Sequence, residues 1–258
     1  MIDPRVHCVV TNDDGVDNEG LHRLAAVAIA AGLDVVVAAP HEESSGSSAA
    51  MTAAESDGRI MISRRELRAL PETPVFAVEA APAFVVFTAV RGAFGPEPGV
   101  VLSGINRGPN TGTAVLHSGT VGAAMTAALA GVPAAAISLD VRDEHAPEYW
   151  ETAEHVASQV LPALRSLRPG LVLNVNVPNV PLGGLRGIGR ASLATGGAVQ
   201  LKLLDTTSHY IQVTTHENAD QPVPGTDSAL LAAGYASVTP LLTVTEAGDE
   251  RLAWLPAD

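Results

Sequence analysis

The sequence is poor in cysteine, in aromatic residues and in positive charge. Its 258 residues include one cysteine, 3% aromatic residues, and 15 Lys and Arg against 28 Asp and Glu, which gives a formal net charge of -13. A single cysteine excludes an internal disulfide and suits a reducing compartment, so we expect a cytoplasmic protein. The acidic excess argues against binding to duplex nucleic acid, because phosphate backbones require clustered Lys and Arg.

Long apolar runs are also missing. No stretch approaches the roughly 18 apolar residues of a membrane-spanning helix, so no membrane association is expected. The first residues, MIDPRVHCVV, lack a basic segment followed by a long apolar stretch, so no signal peptide is expected. With 47% hydrophobic and 17% charged residues, the composition is typical of a globular protein with a core of Ala, Val and Leu.

Short apolar segments alternate with helical patterns over residues 1–181. This alternation indicates an α/β protein with a mostly parallel sheet that helices cover on both faces. Asp17 or Asn18 can cap the first helix. The predicted strands are 6–10, 33–39, 75–78, 99–104, 133–139 and 171–178, and the predicted helices are 21–31, 83–94, 119–131 and 149–167.

The pattern changes after Pro181. Residues 187–194 and 208–215 alternate like exposed strands, and residues 225–241 indicate a turn, a short helix and a strand. We therefore predict a second region, residues 182–258, as a C-terminal extension with hairpins, whose last helix and strand return to the core. Hairpins of this kind often mediate self-association, so a homodimer or homotetramer is expected.

Three polar segments follow predicted core strands: TNDDG (11–15), PHEESSG (40–46) and SGINRG (103–108). In a parallel sheet the carboxyl ends of the strands lie at one edge, where ligands bind. Asp13, Asp14, Ser45 and Asn106 would there offer only oxygen ligands, which suit Mg²⁺, Mn²⁺ or Ca²⁺ rather than Zn²⁺. The alternative is a solvated turn in which the two aspartates cap the next helix or bind the loop backbone.

A second polar segment, His117–Ser118–Gly119–Thr120, begins a predicted helix. Its free backbone N–H groups and hydroxyls favour an anion, although Ser118 can equally be an ordinary helix cap. A metal beside an anion site indicates phosphoester hydrolysis by an activated water that an aspartate orients or deprotonates. The sequence contains no GxxxxGK[ST], GxGxxG or GxSxG motif, which argues against a P-loop, a dinucleotide site or a serine hydrolase.

The same segments resemble the SurE family of survival-protein nucleotidases. The match comprises TNDDGVDNEGL, AAP followed by SG at 45–46, SGINRGPNTG, SGTVGAAMTAALAGVPAAAISL, LNVNVPN and GTDSALLAAGYASVTPL, in the family's order. The resemblance implies a Rossmann-like three-layer α/β core with a C-terminal β-hairpin extension that subunits commonly exchange in dimers or tetramers. It also implies a divalent-metal-dependent phosphatase, of the 5'-nucleotidase type, acting on nucleoside monophosphates.

The resemblance further implies a role for individual residues. By motif position, one Mg²⁺ or Mn²⁺ per subunit, or Ca²⁺ in its place, is held by Asp13, Asp14, Ser45 and Asn106. The phosphate site falls on Asn110, Ser118, Gly119 and Thr120, and Asn12 belongs to the same catalytic signature as Asp13 and Asp14.

Two single positions and one segment depart from the family pattern. His41 stands where the family usually has Asp, and His117 stands where it has Tyr. Residues 79–90 contain Ala80–Val85 where the family commonly has Gly-Thr-Pro-x-Asp-Cys. These changes leave two alternatives open: a different phosphomonoester substrate, or a protein that binds metal or nucleotide without useful catalysis. His117 could replace a contact of the tyrosine in the substrate site, or donate a proton to the leaving group.

Overall fold

The computed structural model describes residues 6–143, 145–196, 199–206, 211–217 and 222–246. Its helices are α1 (Glu19–Ala30), α2 (Pro82–Ala89), α3 (Gly119–Leu129), α4 (Trp150–Val160) and α5 (Asp227–Ala232), with 3₁₀ turns at Gly112–His117, Leu161–Ser166 and Leu182–Gly184. Its strands are β1 (His7–Thr11), β2 (Asp34–Pro40), β3 (Glu55–Ser56), β4 (Arg59–Ile60), β5 (Ile62–Arg65), β6 (Val75–Val78), β7 (Val100–Arg107), β8 (Ala134–Asp140), β9 (Leu171–Pro178), β10 (Ile188–Arg190), β11 (Val199–Thr206), β12 (Ile211–Glu217) and β13 (Ala236–Leu242).

Nine strands form one sheet in the order β10-β13-β9-β8-β7-β1-β2-β6-β5. The strands from β9 to β6 are parallel, whereas β13 runs antiparallel to β9 and β5 runs antiparallel to β6. The strand order reverses at β1, since β2 lies on one side of β1 and β7 lies on the other. This arrangement confirms the predicted Rossmann-like α/β fold.

Helices cover both faces of the sheet, as a three-layer core requires. On one face α1 and α4 contribute Leu21, Leu24 and Val156 to a buried cluster that also contains Val10. On the other face α2 and α3 pack over a cluster that contains Val9. Successive residues of β1 thus point to opposite faces and both are buried, which explains why the core strands are apolar throughout.

The ends of several elements differ from the sequence prediction. β7 continues to Arg107, beyond the predicted residue 104, because Arg107 pairs with Leu139 of β8. The predicted helix at 149–167 is α-helical only to Val160, and Pro162 lies in the 3₁₀ turn that follows, since proline has no N–H for the helical ladder. Strand β5 was not predicted, because its residues at the sheet edge are mostly exposed and lack an apolar pattern.

The region after residue 181 contributes to the main sheet and also forms a separate hairpin. β13 joins β9, and β10 joins β13, so both extend the nine-stranded sheet. β11 and β12 pair antiparallel with each other, and β11 lies at Val199–Thr206, where no strand was predicted. Of the predicted strand at 208–215, residues 208–210 lie outside the described residues, as do 247–258 at the end of the predicted extension. In the described ranges no helix has the length and apolar character needed to cross a bilayer.

Candidate active site

A pocket of about 830 Å³ opens where the carboxyl ends of β1, β2 and β7 meet. Seven of the predicted site residues are among its lining, and they come from all three predicted loops and from the segment before α3. The lining consists of Asp13, Asp14, Asn18, Glu43, Ser45, Gly46, Asn106, Arg107, Asn110, Ala114, His117 and Ser118. The structure therefore brings together residues that are about a hundred positions apart in the sequence.

Asp13 is held by the N-terminus of α3. Its side chain is nearly buried, with 4% of its surface exposed. The Thr120 hydroxyl donates to Asp13 Oδ1 at 2.5 Å. Burial raises the pKa of Asp13, and hydrogen bonds from Thr120 and from the backbone N–H of Gly119 oppose that shift. A helix N-terminus carries partial positive charge, so it stabilises this carboxylate.

Asp14 is half-buried and lies beside other negative charges. Burial, then the charge of Asp13, raise the pKa of Asp14 to about 7, and the charge of Glu43 adds to this effect. The backbone N–H of Arg107 donates to Asp14 Oδ2 at 3.3 Å and acts in the opposite direction. Two neighbouring carboxylates that resist ionisation together are suited to sharing a cation.

Ser45 and Asn106 supply the other predicted oxygen ligands. The Ser45 hydroxyl donates to Glu43 Oε1 at 2.6 Å. The Asn106 amide donates to the Gly108 carbonyl at 2.7 Å, which leaves Asn106 Oδ1 as its acceptor atom. Among the described residues no cluster of three or more His, Cys, Asp or Glu is suited to a metal, so a metal here would depend on hydroxyl and amide oxygens besides two carboxylates. This donor set fits Mg²⁺, Mn²⁺ or Ca²⁺.

Asn110 is fixed by polar residues of two buried strands. Its N–H donates to Asn176 Oδ1 at 2.7 Å, and its side chain donates to Ser138 at 2.9 Å. Its carbonyl accepts from the side chains of Asn174 and Asn176 at 2.8 and 2.9 Å. Sequence reasoning missed these three supporting residues. The signal was the alternation in LNVNVP, which places two amides on one face of a buried strand.

The start of α3 has two functions in this structure. Ser118 caps the helix, because its hydroxyl accepts from the N–H of Val121 at 3.1 Å, which is the alternative considered from the sequence. Gly119 and Thr120 are buried behind the pocket and donate to Asp13. His117 is exposed at the rim.

Asn12 lies beneath the pocket and not in its lining. It is fully buried, and its amide donates to the Gly15 carbonyl at 2.9 Å. It therefore shapes the turn that presents Asp13 and Asp14. Five lining residues had no predicted role in the site: Asn18, Glu43, Gly46, Arg107 and Ala114. All five lie in segments that follow predicted strands, and that position was the available signal.

The loop after β2 also reaches α3. The Ser48 hydroxyl donates to the Leu116 carbonyl at 2.6 Å, and the Ser48 N–H donates to the His117 carbonyl at 3.2 Å. Ser47 Oγ is buried without a hydrogen-bond partner among the described residues. The loop after β2 is thus anchored beside the helix that holds Asp13.

The fold and the pocket define an α/β protein of the Rossmann-like class with an acidic, oxygen-rich site at the carboxyl edge of its sheet. Residues 8–198 match the family described as survival protein SurE. The chain belongs to the SurE family.

Similar proteins cover nearly the whole chain. It is 34% identical over 257 residues to the 5'-nucleotidase SurE of Stenotrophomonas maltophilia, and the alignment covers 96% of this chain and 95% of that protein. It is 35% identical over 255 residues to the 5'/3'-nucleotidase SurE of Edwardsiella ictaluri, with the same coverage. Among solved structures, the SurE protein of Aquifex aeolicus superposes with a TM-score of 0.74 at 27% identity, covering 92% of this chain and 93% of that one.

Proposed function

We propose that the protein is a metal-dependent phosphomonoesterase, a hydrolase that removes phosphate from nucleoside monophosphates. The observation that supports this most directly is the convergence of Asp13, Asp14, Ser45 and Asn106 on one pocket, beside Asn110 and the start of α3. The names of the SurE relatives, 5'-nucleotidase and 5'/3'-nucleotidase, agree with this proposal.

In the proposed mechanism the oxygen atoms of Asp13, Asp14, Ser45 and Asn106 would hold one Mg²⁺ or Mn²⁺ per subunit, and the cation would supply polarisation of a phosphoryl oxygen and of a water molecule. Asp13 or Asp14 orients the attacking water and accepts its proton as the water oxygen bonds to phosphorus. The ester P–O bond breaks, and the leaving oxygen takes a proton, for which His117 at the rim is the proposed donor. Asn12 maintains the turn that carries both carboxylates.

The proposed phosphate-binding groups are Asn110 and the residues at the N-terminus of α3. Asn110 and Ser118 line the pocket, and we propose that they bind phosphoryl oxygens. Gly119 and Thr120 contribute through the helix N-terminus, whose partial positive charge favours an anion in front of it.

Metal dependence is the direct test. We expect protein stripped of metal by a chelator to release no phosphate from nucleoside 5'- or 3'-monophosphates. Mg²⁺ or Mn²⁺ should restore release, because without a cation the site carboxylates repel the negatively charged phosphoryl group. Phosphate release is measured across a panel that also contains sugar phosphates, with circular dichroism as the control for folding. Folded protein that binds Mn²⁺ yet hydrolyses nothing would contradict the proposal and favour binding without catalysis.

A different phosphomonoester is the second candidate substrate. A smaller cavity of about 350 Å³ adjoins the pocket and shares Glu43 with it, and His41 and Ala80 also line it. Both positions depart from the family pattern. His41 Nδ1 lies 3.2 Å from Arg65 Nη2, so the wall of the smaller cavity at His41 is polar. The same panel decides between the candidates, because a single preferred non-nucleotide substrate would favour the second.

Gly119 should tolerate no larger residue. A Cβ atom there would lie 2.8 Å from Asp13 Oδ2 and 2.6 Å from Ser47 Oγ, both well inside ordinary contact. Gly119→Ala is expected to lower kcat/KM about a hundredfold, because a small displacement of a reacting group costs that much. Gly183→Ala is the control, since no described residue has an atom within 4 Å of a Cβ placed at that glycine. Equal kinetics for the two variants would contradict the placement of Asp13.

We further propose a cytoplasmic homodimer or homotetramer. Ile211, Val223, Leu242 and Val244 are between 62% and 88% exposed, and such apolar groups favour contact with another subunit. The net charge of -13 supports a small-molecule substrate over duplex nucleic acid.

A further inference from the structure

Charge balance in the active-site pocket raises a difficulty for an anionic substrate. Asp13, Asp14 and Glu43 place three carboxylates in the lining, and a phosphomonoester brings further negative charge. One divalent cation does not offset this total. Among the described lining residues, Arg107 is the only Lys or Arg. Besides the partial charge of the α3 N-terminus, the permanently charged cationic side chain that this lining offers to the substrate is therefore that of Arg107.

Arg107 is held in place by an oriented carboxylate. Its Nε donates to Glu148 Oε1 at 2.5 Å, and the Arg107 side chain is 34% exposed. The other Glu148 oxygen accepts from the indole N–H of Trp150 at 2.9 Å, and Trp150 is buried. Arg107 uses its Nε in this pair, and its Nη groups form no hydrogen bond to the described residues. Those groups can bind phosphoryl oxygens, for which guanidinium geometry is suited.

The backbone around Glu148 is also fixed. The Asn179 side chain donates to the Pro147 carbonyl at 2.9 Å and accepts from the Tyr149 N–H at 2.9 Å. One amide after the end of β9 therefore clamps the residues on both sides of Glu148. A fixed backbone on both sides of Glu148 allows its carboxylate to hold the Arg107 side chain in one orientation.

We propose that Arg107 is a phosphate-binding residue of this site and that Glu148 is its positioning residue. This inference rests on the proposed function for its substrate. Arg107 supplies the positive charge that lets a phosphomonoester enter a pocket with three carboxylates. Glu148, clamped by Asn179, keeps the guanidinium at the pocket wall.

The test measures binding of inorganic phosphate to Mn²⁺-loaded protein by titration calorimetry. Arg107→Gln is expected to weaken phosphate binding about tenfold to a hundredfold, the loss of a hydrogen bond to a charged group. Arg107→Lys should recover part of this loss, because the charge remains. Glu148→Gln should cause a smaller loss, since its amide oxygen still accepts from Arg107. Binding of Mn²⁺ alone should be unchanged in all three variants.

Arg23→Gln is the matched control. Arg23 is 35% exposed, as against 34% for Arg107, and it also forms ion pairs, with Glu19 and Glu154. It lies outside the pocket lining. A purely structural role for Arg107 predicts reduced thermal stability in Arg107→Gln with unchanged phosphate affinity, and that result would overturn the inference.

Two further results separate this inference from the proposed function. Wild-type protein that binds phosphate, loses this binding in Arg107→Gln and yet hydrolyses no ester supports the inference while the proposed function fails. Wild-type protein that binds no phosphate with Mn²⁺ present overturns the inference, whatever its activity on esters.

Discussion

Asp14→Asn is expected to lower kcat for a nucleoside monophosphate about a thousandfold. Asp14 faces the pocket beside Asp13, and its proposed function is to hold the cation and orient the attacking water. Loss of that stabilisation raises the activation free energy by several kcal/mol, which corresponds to a decrease in rate of about three orders of magnitude. Phosphate release with saturating Mn²⁺ measures the effect.

The folded state should withstand this substitution. Burial and the charge of Asp13 disfavour the Asp14 carboxylate, so a neutral amide removes a like-charge repulsion. We expect the Tm of metal-free Asp14→Asn to equal or exceed that of the wild type. Asp17→Asn is the control, because Asp17 lies in the same loop but is exposed and outside the lining. Wild-type turnover in Asp14→Asn would rule out its proposed role.

Asp227→Ala is expected to cause the largest loss of stability, about 3 kcal/mol. Asp227 is fully buried, and its carboxylate accepts backbone N–H groups from Gly112, Ala194 and Ser228 at 2.8 to 3.0 Å. The substitution removes three charge-assisted bonds and leaves the buried Gly112 N–H without this acceptor. A chain of this size should lose roughly 6–12 °C in Tm, measured by calorimetry.

Activity should also fall in this variant, because Gly112 belongs to the segment that carries Asn110 into the pocket. Asp34→Ala serves for comparison: its carboxylate pairs with His7 at 3.1 Å but is largely exposed, so its loss should cost less than about 1 kcal/mol. Equal Tm changes in the two variants would mean that the hydrogen bonds of Asp227 do not hold the C-terminal region to the site.

Local features of the sequence were sufficient to predict much of the fold. The apolar runs of β1, β2 and β9 predicted buried parallel strands, because the side chains of such strands pack on both faces. Asn18 caps α1 through its side chain, as one of the two predicted caps. Because the carboxyl ends of parallel strands lie at one edge of the sheet, the three polar loops could also be predicted to meet there.

Contacts between distant residues could be found only in the tertiary structure. The bond from Thr120 to Asp13 joins residues 107 positions apart, and the pair of Arg107 with Glu148 spans 41. Neither pairing leaves a periodic or spacing signal in the chain. β5 went unpredicted for the related reason that an exposed edge strand is defined by its neighbour β6 and not by its own residues.

Strand burial and turn chemistry act over a few neighbouring residues, so the sequence was sufficient to predict the α/β class, the positions of the core strands and the polar loops at the carboxyl edge. The tertiary structure decided what surrounds those residues: the α3 N-terminus on Asp13, the asparagines that fix Asn110, and the arginine at the pocket wall. These environments arise when the strands take their order in the sheet, and that order is set by packing of the whole chain.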